Sequence, residues 1–314
     1  MTLFLRATTA LLFPASLMAQ EIPAAEYAAR RDSLAARIDS GLFIAFGAPD
    51  PVGIRRWSQL PGFRYLTGFL EPNAAFVLVK RAGGGSGTLF TASRDPRRAL
   101  YDGFPPDSAA VARETRLKVR SLPALRLVVD SLVAQRLPVY ELRDFATADA
   151  ANQDSLTRGG RFVADLVARN SGLIVRSVHP IVDSLRRRKS PAELKLLRRA
   201  IEATVVAHRE ALRSTKPGMW EYQLEALIEG AFRRTGCDGP AFTSIVGSGP
   251  NSTQYHYQTN NRRMVAGDVV VMDVGASCGG YAADVTRTIP VSGRFSREQR
   301  AIYQLVRDAQ AASE

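Results

Sequence analysis

Short apolar runs and longer amphipathic stretches alternate along the first half of the chain, which predicts strands interleaved with helices. Helical spacing of alanines and charged residues covers Glu21 to Ile38, and further helical patterns cover Leu122 to Leu137 and Arg161 to Asn170. The strand-like runs are Leu42 to Phe46, Arg64 to Phe69, Ala74 to Lys80, Thr88 to Thr91 and Val139 to Leu142, with Gly83 to Gly87 as a hairpin loop. This order predicts an α/β domain over about residues 21–176.

The following segment, residues 177–314, begins with helices instead of strands. Ser190, Pro191 and Glu193 form the sequence signature of a capping box, which opens a helix running to about Ser214. Apolar residues recur on one face of this helix at spacings of three and four: Leu194, Leu197, Ile201, Val205 and Leu212, together with His208. We interpret that face as the core face and His208 as a core histidine.

A second helix, two strands and a final helix complete the pattern. The second helix is predicted from Met219 to Arg234, and a strand follows from Ala241 to Val246. Ser296 is a predicted N-cap for a helix that continues to Glu314. Because no Gly, Asn or Pro ends this helix, we expect the chain to be a truncated form of a longer protein.

The most distinctive stretch runs from Val269 to Pro290 and reads VVVMDVGASCGGYAADVTRTIP. If residues 277–280 form the loop of a hairpin, Asp273 lies directly opposite Asp284 on paired strands. Two carboxylates held so close on apolar strands call for a cation or a shared proton. Oxygen donors of this kind suit divalent ions such as Mn²⁺, Mg²⁺ or Zn²⁺. A structural hairpin with two solvated aspartates is the alternative.

We call the stretch from Val269 to Pro290 the ribbon. Three residues in or near it are candidates for supporting roles. His256 follows a glycine-rich loop, where an imidazole can hydrogen-bond a substrate carbonyl or a developing oxyanion; a loop histidine bonded to the backbone is the alternative. Thr286 can orient a carboxylate through its hydroxyl group. No potential general base lies at a sequence spacing from Cys278 that would indicate an activated thiol, so we interpret Cys278 as a residue without a catalytic role and not as a nucleophile.

Composition narrows the classes of function. The net charge of +12 comes mostly from arginines scattered among helices, so we interpret it as a solvated surface and predict no nucleic-acid partner. With only Cys237 and Cys278 in the chain, we expect no disulfide framework and no cysteine-based zinc cluster.

The N-terminus has the order of a secretory signal peptide. Arg6 precedes a short apolar run, and Ala19 offers a small residue for cleavage, so residues 1–19 are predicted to be removed on export. A periplasmic or secreted protein is therefore expected, with a cytoplasmic protein as the alternative. No window reaches the roughly 20 apolar residues of a spanning helix, so no membrane partner is predicted.

These motifs together resemble one family. The order of His256-Tyr257, then Asp273 within GDVVVMDVGA, then Asp284 within GYAADVTRTIPVSG closely resembles the aminopeptidase P and prolidase group of metallopeptidases. Residues 63–72, FRYLTGFLEP, and 189–200, KSPAELKLLRRA, resemble the same group. The resemblance implies a creatinase-like N-terminal domain over residues 21–176, followed by the first half of a pita-bread metallopeptidase domain over residues 177–314.

The resemblance also implies a reaction. Asp273 would be a ligand of one metal ion, Asp284 would bridge two ions, usually Mn²⁺, and His256 would contact the substrate. A metal-bridging hydroxide would release the N-terminal residue from peptides with proline second. The remaining ligands of the family, a His and two Glu, would follow Glu314, so this chain alone is expected to be inactive, and the full-length protein to be a homo-oligomer.

The residues leave other functions open. An Xaa-Pro dipeptidase, or prolidase, is the nearest alternative. A pita-bread protein that binds peptides without metal, and a creatinase-type enzyme that acts without metal, are the others. Retention of Asp273 and Asp284 favours the metal-dependent versions.

Overall fold

A computed structural model describes residues 22–50, 57–92, 97, 101, 103, 106–142 and 158–314. The predicted signal peptide, residues 1–19, lies outside these ranges. Within them, no helix combines the length and the apolar character that crossing a bilayer requires.

Six strands form one mixed sheet in the first half of the chain. They are β1 (Gly41–Phe46), β2 (Ala75–Arg81), β3 (Gly84–Thr91), β4 (Lys118–Ser121), β5 (Val139–Leu142) and β6 (Val175–Ser177). Their spatial order is β4-β3-β2-β1-β5-β6, in which β1, β2 and β3 are antiparallel neighbours and the other pairs are parallel.

Helices cover both faces of this sheet. They are α1 (Ala24–Ala35), α2 (Pro61–Thr67), α3 (Ser108–Thr115), α4 (Leu125–Val133), α5 (Arg158–Arg169) and α6 (His179–Arg187). On β1, Phe43 packs with residues of α1, α2 and α6, whereas Leu42 packs with residues of α4 and α5. Because β1 is buried on both faces, all six of its residues are apolar or glycine, which is why the sequence predicted this strand correctly.

Two local predictions in this half are wrong. Arg64 to Phe69 belongs mostly to helix α2, which starts at Pro61 and ends at Gly68 in the left-handed conformation. Gly83 to Gly87 is not one loop, because strand β3 already begins at Gly84. A side chain at Gly87 would collide with Leu117, so this glycine reflects close packing of a strand and not a turn.

Beyond α6, residues 188–314 form three helices and two small sheets. The elements are α7 (Pro191–Ser214), α8 (Glu221–Arg234), β7 (Gly239–Pro240), β8 (Ile245–Ser248), β9 (Val269–Val274), β10 (Ala276–Cys278), β11 (Tyr281–Ala282), β12 (Val285–Pro290) and α9 (Arg297–Ser313). One sheet has the order β12-β9-β8 and the other β11-β10-β7. The capping boxes predicted at Ser190 and Ser296 are both confirmed.

Helix α7 buries a different face from the one predicted. Leu194, Ile201 and Leu212 are 40, 47 and 58% exposed, whereas the buried face carries small residues, including Ala200 and Ala207. Small side chains allow α8 and the hairpin strands to approach α7 closely. The interpretation of the large apolar residues as the core face is therefore wrong.

The two cysteines form a disulfide bond, which the sequence reasoning did not expect. Cys237, just after α8, is joined to Cys278 at the end of β10, 41 residues further along the chain. Both side chains are buried in the core of the second half. The bond therefore fastens the ribbon to helix α8, and Cys278 is confirmed as structural and not nucleophilic.

Candidate metal centre

The two arms of the ribbon that carries both aspartates keep one antiparallel register through the two small sheets and are joined by a two-residue turn. Gly279 and Gly280 occupy this turn with φ values of 60° and 78°, which favour glycine, and Cys278 pairs with Tyr281 directly beside it. In this register Asp273 faces Thr286 and not Asp284. The prediction that the two aspartates lie directly opposite is wrong, because it placed Ser277 and Cys278 in the loop.

Asp273 occupies the middle of the three-stranded sheet. Its strand, β9, alternates strictly, with Val270, Met272 and Val274 buried in the core. Asp273 therefore projects from the opposite face, between Ile245 on β8 and Thr286 on β12. The Thr286 hydroxyl group donates a hydrogen bond of 2.8 Å to Asp273 Oδ1, so the orienting contact predicted for this threonine is present.

Asp284 reaches the same carboxylate from a diagonal position one residue before β12. Partial burial raises the pKa of the Asp284 carboxyl group, and the negative charge of Asp273 and a hydrogen bond to it raise it further. The two side chains are therefore close enough to compete for one proton. A divalent cation placed between them would relieve the same repulsion, so this pair fits one edge of a metal site.

The pair supplies two carboxylates and no more. Among the residues that the structure describes, no group of three or more His, Cys, Asp or Glu side chains is arranged to hold a metal ion. Asp273 and Asp284 would therefore supply only part of the coordination sphere of a metal pair.

His256 lies in an exposed turn that follows a short 3₁₀ helix, Gly249–Thr253. Tyr255 beside it is 93% exposed, whereas Tyr257 is buried. Within residues 158–314, no hydrogen bond joins His256 to Asp273 or Asp284. The exposed imidazole is thus free to meet a ligand from solvent.

Glu221, a residue that the sequence did not single out, fixes the loop that carries His256. Its carboxylate is fully buried at the start of α8. Oε1 accepts hydrogen bonds from the amide and hydroxyl of Ser248 at 2.6 and 2.7 Å. Oε2 accepts from the Tyr257 hydroxyl at 2.8 Å and from the Arg262 amide at 2.9 Å. One carboxylate therefore holds the chain on both sides of His256.

A glutamate in the first turn of a helix gives little warning of such a role. Position and charge alone suggest a favourable interaction with the helix dipole. The four groups that donate to Glu221 belong to Ser248, Tyr257 and Arg262, which follow it by 27 to 41 residues in sequence. No local sequence pattern indicates these contacts.

His208 supports the ribbon from helix α7. Its Nε2 lies 3.0 Å from the Val285 carbonyl oxygen, next to Asp284, while Nδ1 is buried and has no hydrogen-bond partner in the described part of the chain. Burial lowers the pKa of this imidazole. A proton on Nε2 can donate to this carbonyl, whereas a second proton on Nδ1 would be a buried donor without a described partner, so the neutral ring is favoured.

Comparison with known proteins identifies two domains of one family. Residues 27–140 match the aminopeptidase P N-terminal domain, and residues 195–314 match metallopeptidase family M24. The Xaa-Pro aminopeptidase of Escherichia coli is 34% identical over 302 residues, which is 91% of this chain and 66% of that protein. The chain spans 55% of the similar Haemophilus influenzae Xaa-Pro aminopeptidase.

Solved structures agree with this assignment. Aminopeptidase P from E. coli, bound to the inhibitor Pro-Leu, matches with a TM-score of 0.83 and 31% identity, covering 93% of this chain and 68% of that one. Aminopeptidase PepP of Pseudomonas aeruginosa matches with a TM-score of 0.80 and 34% identity, covering 93% and 67%. The mixed α/β fold, with a creatinase-like N-terminal domain and part of a pita-bread domain, is thereby confirmed. The chain belongs to the aminopeptidase P family of M24 metallopeptidases.

Proposed function

We propose that the protein is a metal-dependent aminopeptidase that releases the N-terminal residue from peptides with proline in the second position. The observation that carries this proposal is the pairing of Asp273 with Asp284 on a rigid ribbon, in a chain whose relatives are named Xaa-Pro aminopeptidases. The family to which the chain belongs supports a metal-dependent hydrolase over a metal-free binding protein.

Each predicted site residue receives a role in this proposal. Asp273 and Asp284 would supply two of the ligands for a pair of divalent ions, for which we propose Mn²⁺, and Thr286 keeps the Asp273 carboxylate oriented. When bound, such ions activate a water molecule and polarise the scissile carbonyl. His256 donates a hydrogen bond to the substrate carbonyl oxygen as negative charge develops on it.

The decisive experiment measures release of arginine from the peptide Arg-Pro-Pro by the protein expressed from its complete gene. The protein is stripped with EDTA and restored with Mn²⁺, Mg²⁺ or Zn²⁺, and the dipeptide Arg-Pro is tested beside the tripeptide. We expect Mn²⁺ to restore release from the tripeptide. Preference for the dipeptide would instead identify a prolidase.

Variants assign the roles of individual residues. We expect Asp284→Asn to abolish release, and His256→Ala to lower kcat by roughly 10²- to 10³-fold, as loss of one oxyanion donor does. Glu202→Gln, exposed on helix α7, also removes one negative charge and serves as the control. Unchanged activity of Asp284→Asn would remove the aspartate pair from the site.

We also propose that the protein is exported, with cleavage after Ala19. The Cys237–Cys278 disulfide supports an oxidising compartment such as the periplasm or the extracellular space. N-terminal sequencing of the protein purified from its native cells should begin at Gln20. A mature protein that retains Met1 would refute export by this route.

We further propose that the full-length protein is a homo-oligomer. Helix α9 exposes Ile302, Leu305 and Val306, each at least 63% exposed, at the spacing of one helical face. An exposed apolar face of this kind favours burial, either against a second copy of the protein or against the part of the relatives' length that this chain does not span. Light scattering of the full-length protein should give a mass above that of one chain, and a monomer would contradict the proposal.

A further inference from the structure

A cavity of about 540 Å³ lies where the two halves of the chain meet. Helices α1 and α2 form one side of it, and the hairpin of β10 and β11 forms another. The end of α6 and the segment that leads into α7 complete the wall. Residues at the turn of the ribbon line this cavity, whereas Asp273 and Asp284 do not, so the cavity is separate from the candidate metal centre.

The charged side chains that line this cavity are mostly positive. The cations are Arg30, Arg64, Arg186, Arg187 and Lys189, and the anions are Asp183 and Glu193. Five positive and two negative groups leave a net charge of +3. Such an excess in a concave, partly desolvated space attracts anions more strongly than the same charges on an open surface.

The one deeply buried cation is already neutralised. Arg30 pairs with Glu26 at 2.5 Å and with Glu193 at 3.3 Å. The second oxygen of Glu193 accepts a hydrogen bond from the Tyr281 hydroxyl at 2.8 Å. Glu193 is therefore fully engaged and offers nothing to the other cations.

Two half-buried arginines converge on the same space without a carboxylate of their own. Within the described ranges, neither Arg64 nor Arg186 has an ion-pair partner. Burial raises the pKa of Tyr27 and of Tyr65, and the charge of Arg64 opposes the first shift while that of Arg186 opposes the second. All four side chains line the same cavity. Arg30, 4.1 Å from the Tyr65 ring, adds a third positive charge.

The hairpin turn lies directly against one of these arginines. The Arg64 guanidinium group packs on Gly280, so a Cβ at this position would require the arginine to shift. Gly280 has a φ of 78°, so the turn itself favours glycine. The contact places the Arg64 guanidinium group at the hairpin side of the cavity.

Two tyrosine hydroxyl groups add donors to this cavity, in which Asp183 is the remaining anionic side chain. Tyr27 and Tyr65 line the cavity, and neither hydroxyl group makes a hydrogen bond to a described residue. With Arg64 and Arg186 they form a set of two phenol and two guanidinium groups with no acceptor assigned to them. Guanidinium forks match the paired oxygens of phosphate and carboxylate groups.

We propose that this cavity binds a small anion with several acceptor oxygens, a phosphate or a carboxylate compound, through Arg64, Arg186, Tyr27 and Tyr65. The ligand joins elements of the N-terminal half to the ribbon hairpin, because Arg64 belongs to α2 and rests on Gly280. Its binding does not require a bound metal or peptidase activity.

Isothermal titration calorimetry of the purified protein in EDTA tests the proposal. The probes are inorganic phosphate, pyrophosphate and citrate, each titrated at low salt and at physiological salt. We expect saturable binding of one anion per chain that persists at physiological salt, where attraction to an exposed cation is largely screened. Stronger binding of pyrophosphate identifies a phosphate site, and stronger binding of citrate identifies a carboxylate site.

Variants separate this site from general surface charge. Arg64→Gln and Arg186→Gln should each weaken binding about tenfold, the effect of losing one hydrogen bond to a charged group. Tyr65→Phe keeps the net charge and should weaken binding about fivefold. Arg213→Gln, on the exposed end of α7, removes one charge elsewhere and should leave the affinity unchanged.

Two results would overturn the proposal. One is the absence of saturable binding of all three probes to the wild-type protein. The other is equal affinity of the Arg64, Arg186 and Tyr65 variants and the Arg213 control, with circular dichroism confirming that each is folded. If an arginine variant fails to fold, Tyr27→Phe and Tyr65→Phe carry the test, because they remove only hydroxyl groups.

Discussion

Replacement of Glu221 by glutamine should destabilise the second half of the chain far more than an isosteric change normally does. In the native protein both carboxylate oxygens are buried, and each accepts two hydrogen bonds of 2.9 Å or less. A glutamine can keep the two bonds to Ser248 through its carbonyl oxygen. Its amide group must then face the Tyr257 hydroxyl and the Arg262 amide.

The size of the effect follows from those two donors. The Tyr257 hydroxyl can rotate and accept a hydrogen bond from the new amide, but the Arg262 N–H cannot. One buried N–H left without a partner costs about 1–3 kcal/mol, and the bonds to Ser248 lose the strength that the negative charge gave them. We therefore expect Glu221→Gln to lower the free energy of unfolding by about 3 kcal/mol.

Urea unfolding followed by tryptophan fluorescence measures this change, because Trp220 directly precedes Glu221. With a denaturant slope of about 3 kcal/mol/M, the midpoint should fall by about 1 M. Glu202→Gln, exposed on α7, should stay within about 0.5 kcal/mol of wild type. A Glu221→Gln midpoint equal to that of the Glu202 control would refute the reasoning that this carboxylate holds the loop.

Three further predictions concern the same half of the chain. The double variant Cys237→Ser, Cys278→Ser should lower the free energy of unfolding by about 4 kcal/mol, because the unfolded chain regains the entropy that closing a 41-residue loop removes. The denatured wild-type protein should show no thiol that reacts with a colorimetric reagent, and two reactive thiols would contradict the disulfide. Burial lowers the pKa of His208 in the folded protein below its value in the unfolded chain. The contribution of the neutral ring to the free energy of unfolding is therefore fully present above the unfolded pKa, and it is lost as the pH falls through the folded pKa. Wild type should therefore lose more stability than His208→Gln between pH 7.5 and 5, and equal losses would contradict this. Asp284→Asn should raise the stability of the EDTA-treated protein by a few tenths of a kcal/mol because it removes repulsion from Asp273, and a fall in the unfolding midpoint would contradict the pairing.

Features that depend on local chemistry could be predicted from the sequence. The two capping boxes begin helices at the predicted residues, since the Ser hydroxyl and the Glu or Gln side chain three positions later satisfy each other's backbone donors. Strand β5 has the predicted bounds, because a β-branched, an aromatic and an apolar residue, Val139, Tyr140 and Leu142, favour a buried strand. The capping boxes need only partners within three residues, and the strand is marked by its own residue types.

Features that depend on distant partners could not be predicted. The sequence Ser-Cys-Gly-Gly admits a four-residue loop or a two-residue turn. Strand β7 pairs with Ser277, and the disulfide holds Cys278 against α8, so both residues are kept in the strand and only the glycines turn. Helix α7 shows the same limit, because its core face is set by how closely α8 can approach Ala200 and Ala207.

The corrected register leaves the ribbon able to supply two carboxylates to a metal site. Residues directly opposite on paired strands have Cβ atoms about 5 Å apart, which brings two carboxylate groups into contact and leaves little room for an ion. Diagonal positions are separated by about 7–8 Å between backbones, yet Asp273 and Asp284 still reach each other through their side chains. An ion with metal–oxygen distances of about 2.0–2.6 Å fits between carboxylates that start from such positions. Meanwhile the place directly opposite Asp273 is taken by Thr286, whose hydroxyl group orients that carboxylate without competing for the ion.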